Sequence, residues 1–250
     1  MLYLFRNFRR KFITTEKFRK YLAYAIGEIV LVVIGILIAL QVNNWNEERK
    51  NENRKQRYME SLVMDLENDL DEIDSLMNSA IQDTVQLGSL RDRISSPNAK
   101  LDTLIHIYRF ELNPIITDPA KFKTTTFEAI EASGDIDLFS TETIEKLTIL
   151  NKLQQAHLDF SLQDLSHYKG SINVLIKKYP SPMYGGSLEA NSLMSQKVWN
   201  SIQPADFISD LNGLIIVKYI SNQLYLLRSK EIRRHTKNLL QELQTKLEIS

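Results

Sequence analysis

Cysteine is absent from this chain, so disulfides, thiolate metal sites and cysteine nucleophiles are all excluded. Breakers of regular structure are scarce as well, with 8 Gly and 6 Pro in 250 residues. Turns are therefore few and elements long, which favours helices. Histidine occurs four times, at His106, His157, His167 and His235. His157 and His167 stand ~80° apart around a helix, and none of the four forms a His-x-x-x-His, His-Glu-x-x-His or Glu-x-x-His pair. Gly-rich phosphate loops and nucleophile elbows are missing too. No cofactor or metal and no catalytic residue is expected, and the chain reads as a non-enzyme.

Net charge is also lacking, since 31 basic residues balance 31 acidic ones. The balance hides a split. Residues 1–20 carry seven basic groups (Arg6, Arg9, Arg10, Lys11, Lys17, Arg19, Lys20) against Glu16 alone, leaving 24 basic and 30 acidic groups beyond. The two parts are built for different surroundings. Without a basic patch in the larger part, nucleic acid is not an expected partner.

What the chain does have is one long apolar run. Tyr21 to Val42 reads YLAYAIGEIVLVVIGILIALQV, with Glu28 and Gln41 as its only strongly polar members. As a helix it spans ~33 Å, enough for a bilayer core. Tyr21 and Tyr24 at one end and Trp45 at the other are suited to the two interfaces. Seven basic residues precede the run, and Arg49, Lys50, Arg54, Lys55 and Arg57 follow it, a bias that sets the N-terminus inside. A cleaved signal peptide would need a small-x-small site, for which Ile38-Ala39-Leu40-Gln41 is poor. A buried core helix and a span of the opposite orientation also compete with this reading. Before the run, Phe5, Phe8 and Phe12 recur at helical spacing among basic residues. That pattern suits either a helix lying on anionic headgroups or a frayed tail that only sets topology.

The stretch AIGEIVLVVIGILIALQVNNWNEERK, Ala25 to Lys50, resembles the N-terminus of domain-of-unknown-function family 6090. TTFEAIEASGDIDLFS, Thr125 to Ser140, is similar to that family's mid-chain pattern. The resemblance implies a single-pass inner-membrane protein of Gram-negative bacteria whose main domain is periplasmic. It implies no activity.

Within the run, Ala23, Gly27, Leu31, Gly35 and Ala39 fall four apart on one ridge. The pairs Ala23/Gly27 and Gly35/Ala39 would admit another helix closely, or reflect only the abundance of small residues in membrane helices. Glu28 lies ~5 Å from the centre of the run, where a charge costs a few kcal/mol. It faces a partner helix or its own symmetry mate, or is neutralised towards lipid, or belongs to an ion path. The expected partners are the lipid bilayer and either a second copy or another membrane protein.

Residues 43–57 are nearly free of apolar side chains and mix both signs of charge, as a solvated helical stalk does. Beyond it, Leu62, Leu66, Leu70, Ile73, Met77, Ile81 and Thr84 step through an eleven-residue repeat, implying a straight or slightly right-handed seam. The acids Asp65, Glu67, Asp69, Asp71, Glu72 and Asp74 read as its wet side. Thr125-x-x-Glu128 is a plausible capping box, Gly134 a terminator, and Ser140 or Thr141 the cap of a helix running to about Tyr179. Residues 181–203 read as an irregular loop, whose Tyr184, Gly185, Gly186 and Trp199 are the candidate partner contacts. Pro204 opens the last helix.

The expected fold is all-α, one N-terminal transmembrane helix followed by a long-helix antiparallel bundle. Its parts are a basic cytoplasmic head (1–20), the span (21–42), the stalk (43–57) and an extracytoplasmic helical domain (58–250). The expected function is that of a membrane-anchored helical interaction protein. A periplasmic ligand-sensing module is the runner-up; it would signal through a partner, since a head of 20 residues is too short for an output domain.

Overall fold

The computed structural model describes residues 16–182, 188 and 192–249, apart from the side chain of Lys17. It is all-α: the described residues form six α-helices and one 3-10 turn, without strands. In chain order these are α1 (Glu16–Ile94), α2 (Leu101–Phe110), α3 (Thr125–Ser133), the 3-10 turn Asp135–Leu138, α4 (Thr141–Lys178), α5 (Leu193–Trp199) and α6 (Pro204–Ile249). The chain divides into two compact units, Met1–Gln56 and Arg57–Ser250.

In the first unit α1 carries the apolar run with its side chains exposed all round: Leu31 is 73% exposed and Leu37 59%. After the run the helix supports itself through neighbouring charges one turn apart. Lys50 bonds Glu47 at 3.0 Å and Lys55 bonds Glu52 at 3.2 Å.

In the second unit the remainder of α1, α4 and α6 form an antiparallel bundle. Polar pairs along the helices fix the directions. From α1 to α6, Glu67 meets Gln244, Asp74 meets Arg233 and Asp83 meets Lys218, so residue numbers rise on one helix as they fall on the other. From α4 to α6, Thr143 meets Glu242, Asp164 meets Arg228 and Lys178 meets Asp210.

The inward seam of α1 is Met59, Leu62, Leu66, Asp69, Ile73, Leu76, Ala80, Asp83, Leu87 and Leu90, alternating steps of three and four. This is a seven-residue period, the spacing of left-handed packing, and it corrects the eleven-residue reading. Ile81 points outward at 43% exposure, and Leu70 and Met77 are only half-buried. The apolar pattern misleads because two seam positions hold aspartates. Asp69, far from lying on the wet side, is 1% exposed.

Two apolar clusters occupy the ends of the bundle. One joins Leu87 and Leu90 to α2, the C-terminal half of α4 and Phe207–Ile215. The other joins Met59–Ile73 to Phe127 and Ile130 of α3, to Leu147 and Leu150, and to Ile232–Leu243. Between them Ala80, Tyr225 and Leu226 form a small apolar cluster with Leu76 and Met77 against it, and buried polar side chains occupy much of the middle of the bundle.

Local signals set the helix ends. Ser140 caps α4 by accepting from the Thr143 amide at 3.2 Å. Gly134 ends α3 at φ 76°, a left-handed conformation that a side chain would strain. The capping box at Thr125 does not form: the N-cap is Thr124, whose hydroxyl donates to the Glu128 carboxylate at 2.6 Å instead of accepting from an amide. The expected 181–203 loop is also shorter, because α5 occupies Leu193–Trp199 with Ser192 as its cap.

If the seam is seven-residue, Ile73→Ala removes a fully buried side chain and is expected to cost about 2–5 kcal/mol of stability, whereas Ile81→Ala costs under about 1 kcal/mol. Thermal unfolding of the two variants distinguishes the registers; equal losses would restore the eleven-residue stripe.

Candidate functional site

Two features have the chemistry to act. The first is the apolar run. Among the described residues it belongs to the one helix long and apolar enough to cross a membrane. Tyr21 and Tyr24 project at one end, 73% and 75% exposed, and Trp45 at the other, 61% exposed, with the Arg49 guanidinium 5.6 Å above its ring. Ala23, Gly27, Glu28, Gly35 and Ala39 are exposed along the helix. A Cβ added at Gly27 or Gly35 would meet nothing within 4 Å, so the ridge is open to a neighbour.

The second feature is the polar middle of the bundle. The Lys218 side chain has no exposed area; its ammonium donates to Asp83 Oδ1 at 2.6 Å and to the Asn113 carbonyl at 2.7 Å. Asn222, one turn along α6, donates to Asp83 Oδ2 at 2.6 Å. Burial lowers the Lys218 pKa and the Asp83 carboxylate opposes that shift. This arrangement ties α1, α6 and the segment after α2 together.

On the neighbouring face His157 is 2% exposed, its ring against Tyr225 at 4.8 Å and Phe122 at 5.9 Å. Neither ring nitrogen has a hydrogen-bond partner. Burial first, then the Arg228 cation, push its pKa down to about 4, with Asp164 opposing. Asp69 accepts from the Lys123 amide at 2.8 Å and from Gln154 at 2.7 Å. Burial nevertheless lifts its carboxyl to about 6. A cavity of ≈ 20 Å³ beside Asp69, Lys123 and Gln154 has room for a water molecule.

Asp83 also reaches the surface. Together with Ser79, Asn113, Thr117 and Asp118 it lines a cleft of ≈ 220 Å³ between α1 and the segment after α2. Among the described residues no group of three or more His, Asp or Glu is placed to hold a metal ion.

Of the candidate partner contacts, Tyr184, Gly185 and Gly186 lie outside the described residues. Trp199 closes α5 rather than sitting on a loop, and its ring packs on Tyr179 at 6.2 Å and Phe207 at 5.4 Å. Sequence reasoning misses Asp69, Lys218, Asn222 and His157 as buried groups, and Asp83 as the partner of Lys218. The signal that could find the first is the step of three and four from Leu62 through Leu66 to Ile73, which lands on Asp69.

Removing one partner of the central pair should be far worse than removing both. Lys218→Met or Asp83→Leu alone is expected to cost about 3–5 kcal/mol, and the double variant less than either, measured by denaturant unfolding. The two displaced titrations act in opposite senses. Below pH 6.5 the unfolded chain protonates its His157 while the folded one resists until about 4, so acid removes stability across that window. Folded Asp69 takes up its proton near 6 and the unfolded one near 3.8, so acid adds stability there. Asp69→Asn should therefore steepen the loss of thermal stability between pH 6.5 and 4; an unchanged slope would refute the assignment.

No curated protein and no solved structure matches the chain. Residues 28–126, from Glu28 in the apolar run through α2 to the opening of α3, match the model of DUF6090, a family of unknown function, and that is the family the Ala25–Lys50 stretch resembles.

Proposed function

We propose that this chain is a membrane-anchored, non-enzymatic helical interaction protein of the bacterial envelope. The N-terminal head is cytoplasmic, the span runs from Tyr21 to Val42, and the second unit docks a partner on the periplasmic side. The observation that carries the reading is the all-round exposure of the apolar run. Ile29, Leu31 and Ile38 are 63%, 73% and 60% exposed, and water around such a helix would be strongly unfavourable. Hydrocarbon removes that penalty. The basic head then faces the side where positive charge is retained, and the acidic remainder lies opposite.

The non-enzymatic part rests on how the ionisable groups are used. A buried lysine of lowered pKa is a residue type that enzymes employ as a nucleophile or base. Lys218 has no exposed area and spends its donors on Asp83 and Asn113. Its chemistry is that of a structural tie.

The second reading, a periplasmic ligand-sensing module acting through a partner, is favoured by the cleft beside Asp83. Its ≈ 220 Å³ volume suits a small molecule, and Ser79, Thr117 and Asp118 offer hydrogen bonds.

The test is fractionation with a topology reporter. The full chain should sediment with membranes, resist alkaline carbonate and need detergent for release. A C-terminal reporter active only in the periplasm should report. Recovery in the soluble fraction, or a reporter active only in the cytosol, rejects the anchored arrangement.

A further inference from the structure

The cleft of ≈ 220 Å³ between α1 and the segment after α2 is lined by a carboxylate that is only partly used. Asp83 accepts from Lys218 at Oδ1 and from Asn222 at Oδ2. An ionised carboxylate has about four acceptor sites, so roughly two remain. The Asp83 side chain keeps 10% of its area exposed and lines the cleft, so the cleft is where those sites are reached. Asp118 adds a second, exposed carboxylate. Ser79 sends its hydroxyl proton to the Ser75 carbonyl at 3.2 Å, which leaves its lone pairs to accept. Among the described residues no Lys, Arg or His lines the cleft, and Lys121 and Lys123 of the facing segment lie outside it. Lys218, behind Asp83, balances that one charge, so the negative charge of the lining is that of Asp118. Glu72 on α1, which meets the Lys121 amide at 3.4 Å, acts in the same sense.

We infer that this cleft binds a short aliphatic ammonium ion, its head on Asp83 and Asp118 and its hydrocarbon along Leu76 and Ile116. The lining selects that class by what it offers. It is rich in acceptors and carries a negative charge, which calls for a cation with several N–H donors. An anionic ligand would find no donor of opposite charge, because Lys218 has no exposed area and spends itself on Asp83 and Asn113. A bare divalent ion lacks a third carboxylate or imidazole placed to hold it, among the described residues. Leu76, Ile115 and Ile116 supply an apolar wall that a chain of methylenes matches. At about 30 Å³ per water-sized volume the cleft holds about seven such volumes, the size of a head group with a chain of about five carbons.

The inference names the ligand class for the sensing reading and rests on that reading for what the binding is for. The binding itself depends neither on it nor on the membrane assignment. Since the same carboxylate holds Lys218, a head group on Asp83 acts on the contact that joins α1 to α6.

The probes are pentylammonium, which is charged at neutral pH as a lysine side chain is, the neutral 1-pentanol and the anionic pentanoate. Each is titrated onto the full chain in detergent, followed by saturation-transfer NMR and by thermal shift. Pentylammonium is expected to bind with a Kd on the order of 1 mM, pentanol about ten-fold more weakly and pentanoate not at all. Asp118→Asn should weaken the amine about five-fold and leave pentanol unchanged. Ser79→Leu, which places hydrocarbon in the cleft, should abolish both. The two substitutions fall at exposed positions, and cooperative unfolding checks that the variants fold. No binding of pentylammonium by the folded chain overturns the site, as does amine binding that Ser79→Leu leaves intact. Pentanol as tight as the amine, or pentanoate tighter, overturns the ligand class and leaves the sensing reading with another ligand. Amine binding with the expected preference that leaves hydrogen exchange of α6 around Lys218 unaltered upholds this site and rejects the sensing reading instead.

Discussion

A lysine ammonium with no contact to water is the constraint around which the second unit is organised. Taking such a charge out of water costs several kcal/mol, which its attraction to a carboxylate offsets only in good geometry. Lys218 gets that geometry from three chain segments at once: Asp83 on α1, the Asn113 carbonyl after α2, and the backbone of α6 itself. Slide α6 by one turn, and the ammonium loses both partners, while Asp83 faces Leu214 and Ile215 or Ser221 and Asn222, none of them charged. The apolar clusters at the two ends would tolerate such a slip far better, because one leucine replaces another at little cost. Register is therefore fixed by the polar middle and stability is supplied by the apolar ends.

That division of labour explains which parts of the fold are readable from the residues. Helix ends are accessible because their signals are local: Ser140, Gly134 and Pro204 each act within a turn of their own position. The all-α class follows from few glycines and prolines and from long periodic stretches. The seam escapes a periodicity traced through apolar residues alone. Asp69 and Asp83 belong to it, yet their inward positions depend on Gln154, Lys123 and Lys218, which lie between 54 and 135 residues away. A local pattern cannot carry that information. His157 is invisible for the same reason: its apolar surroundings, Phe122 and Tyr225, come from distant segments.

The candidate sites divide along the same line. The apolar run is legible throughout, since length, composition and flanking aromatics are properties of contiguous residues, and the match over residues 28–126 begins inside it. The cleft at Asp83 is not, since it exists only where Asn113 to Asp118 lie across α1. The partner contacts assigned to the 181–203 stretch rest on irregularity alone, and Trp199 illustrates the weakness of that criterion. An indole in a glycine-rich neighbourhood reads as a free binding element, but a seven-residue helix turns it onto Tyr179 and Phe207.

The two helices that matter most, α1 and α6, each contradict the ordinary rule that apolar residues face inward. In α1 the exception is contiguous and wraps every side of the helix, a pattern that water-facing protein surfaces do not sustain and that hydrocarbon satisfies. In α6 the exception covers one face only, where Ile208, Ile216, Ile220, Leu224 and Leu227 are exposed. Its opposite face carries the buried charge that sets the register of the bundle. A face this uncharged, opposite a side committed to Lys218 and Asn222, cannot be relieved by rotating α6, because rotation would expose the apolar core contacts Leu211 and Leu214 and strand Asp83. The inner polar residues thus hold the outer apolar ones at the surface.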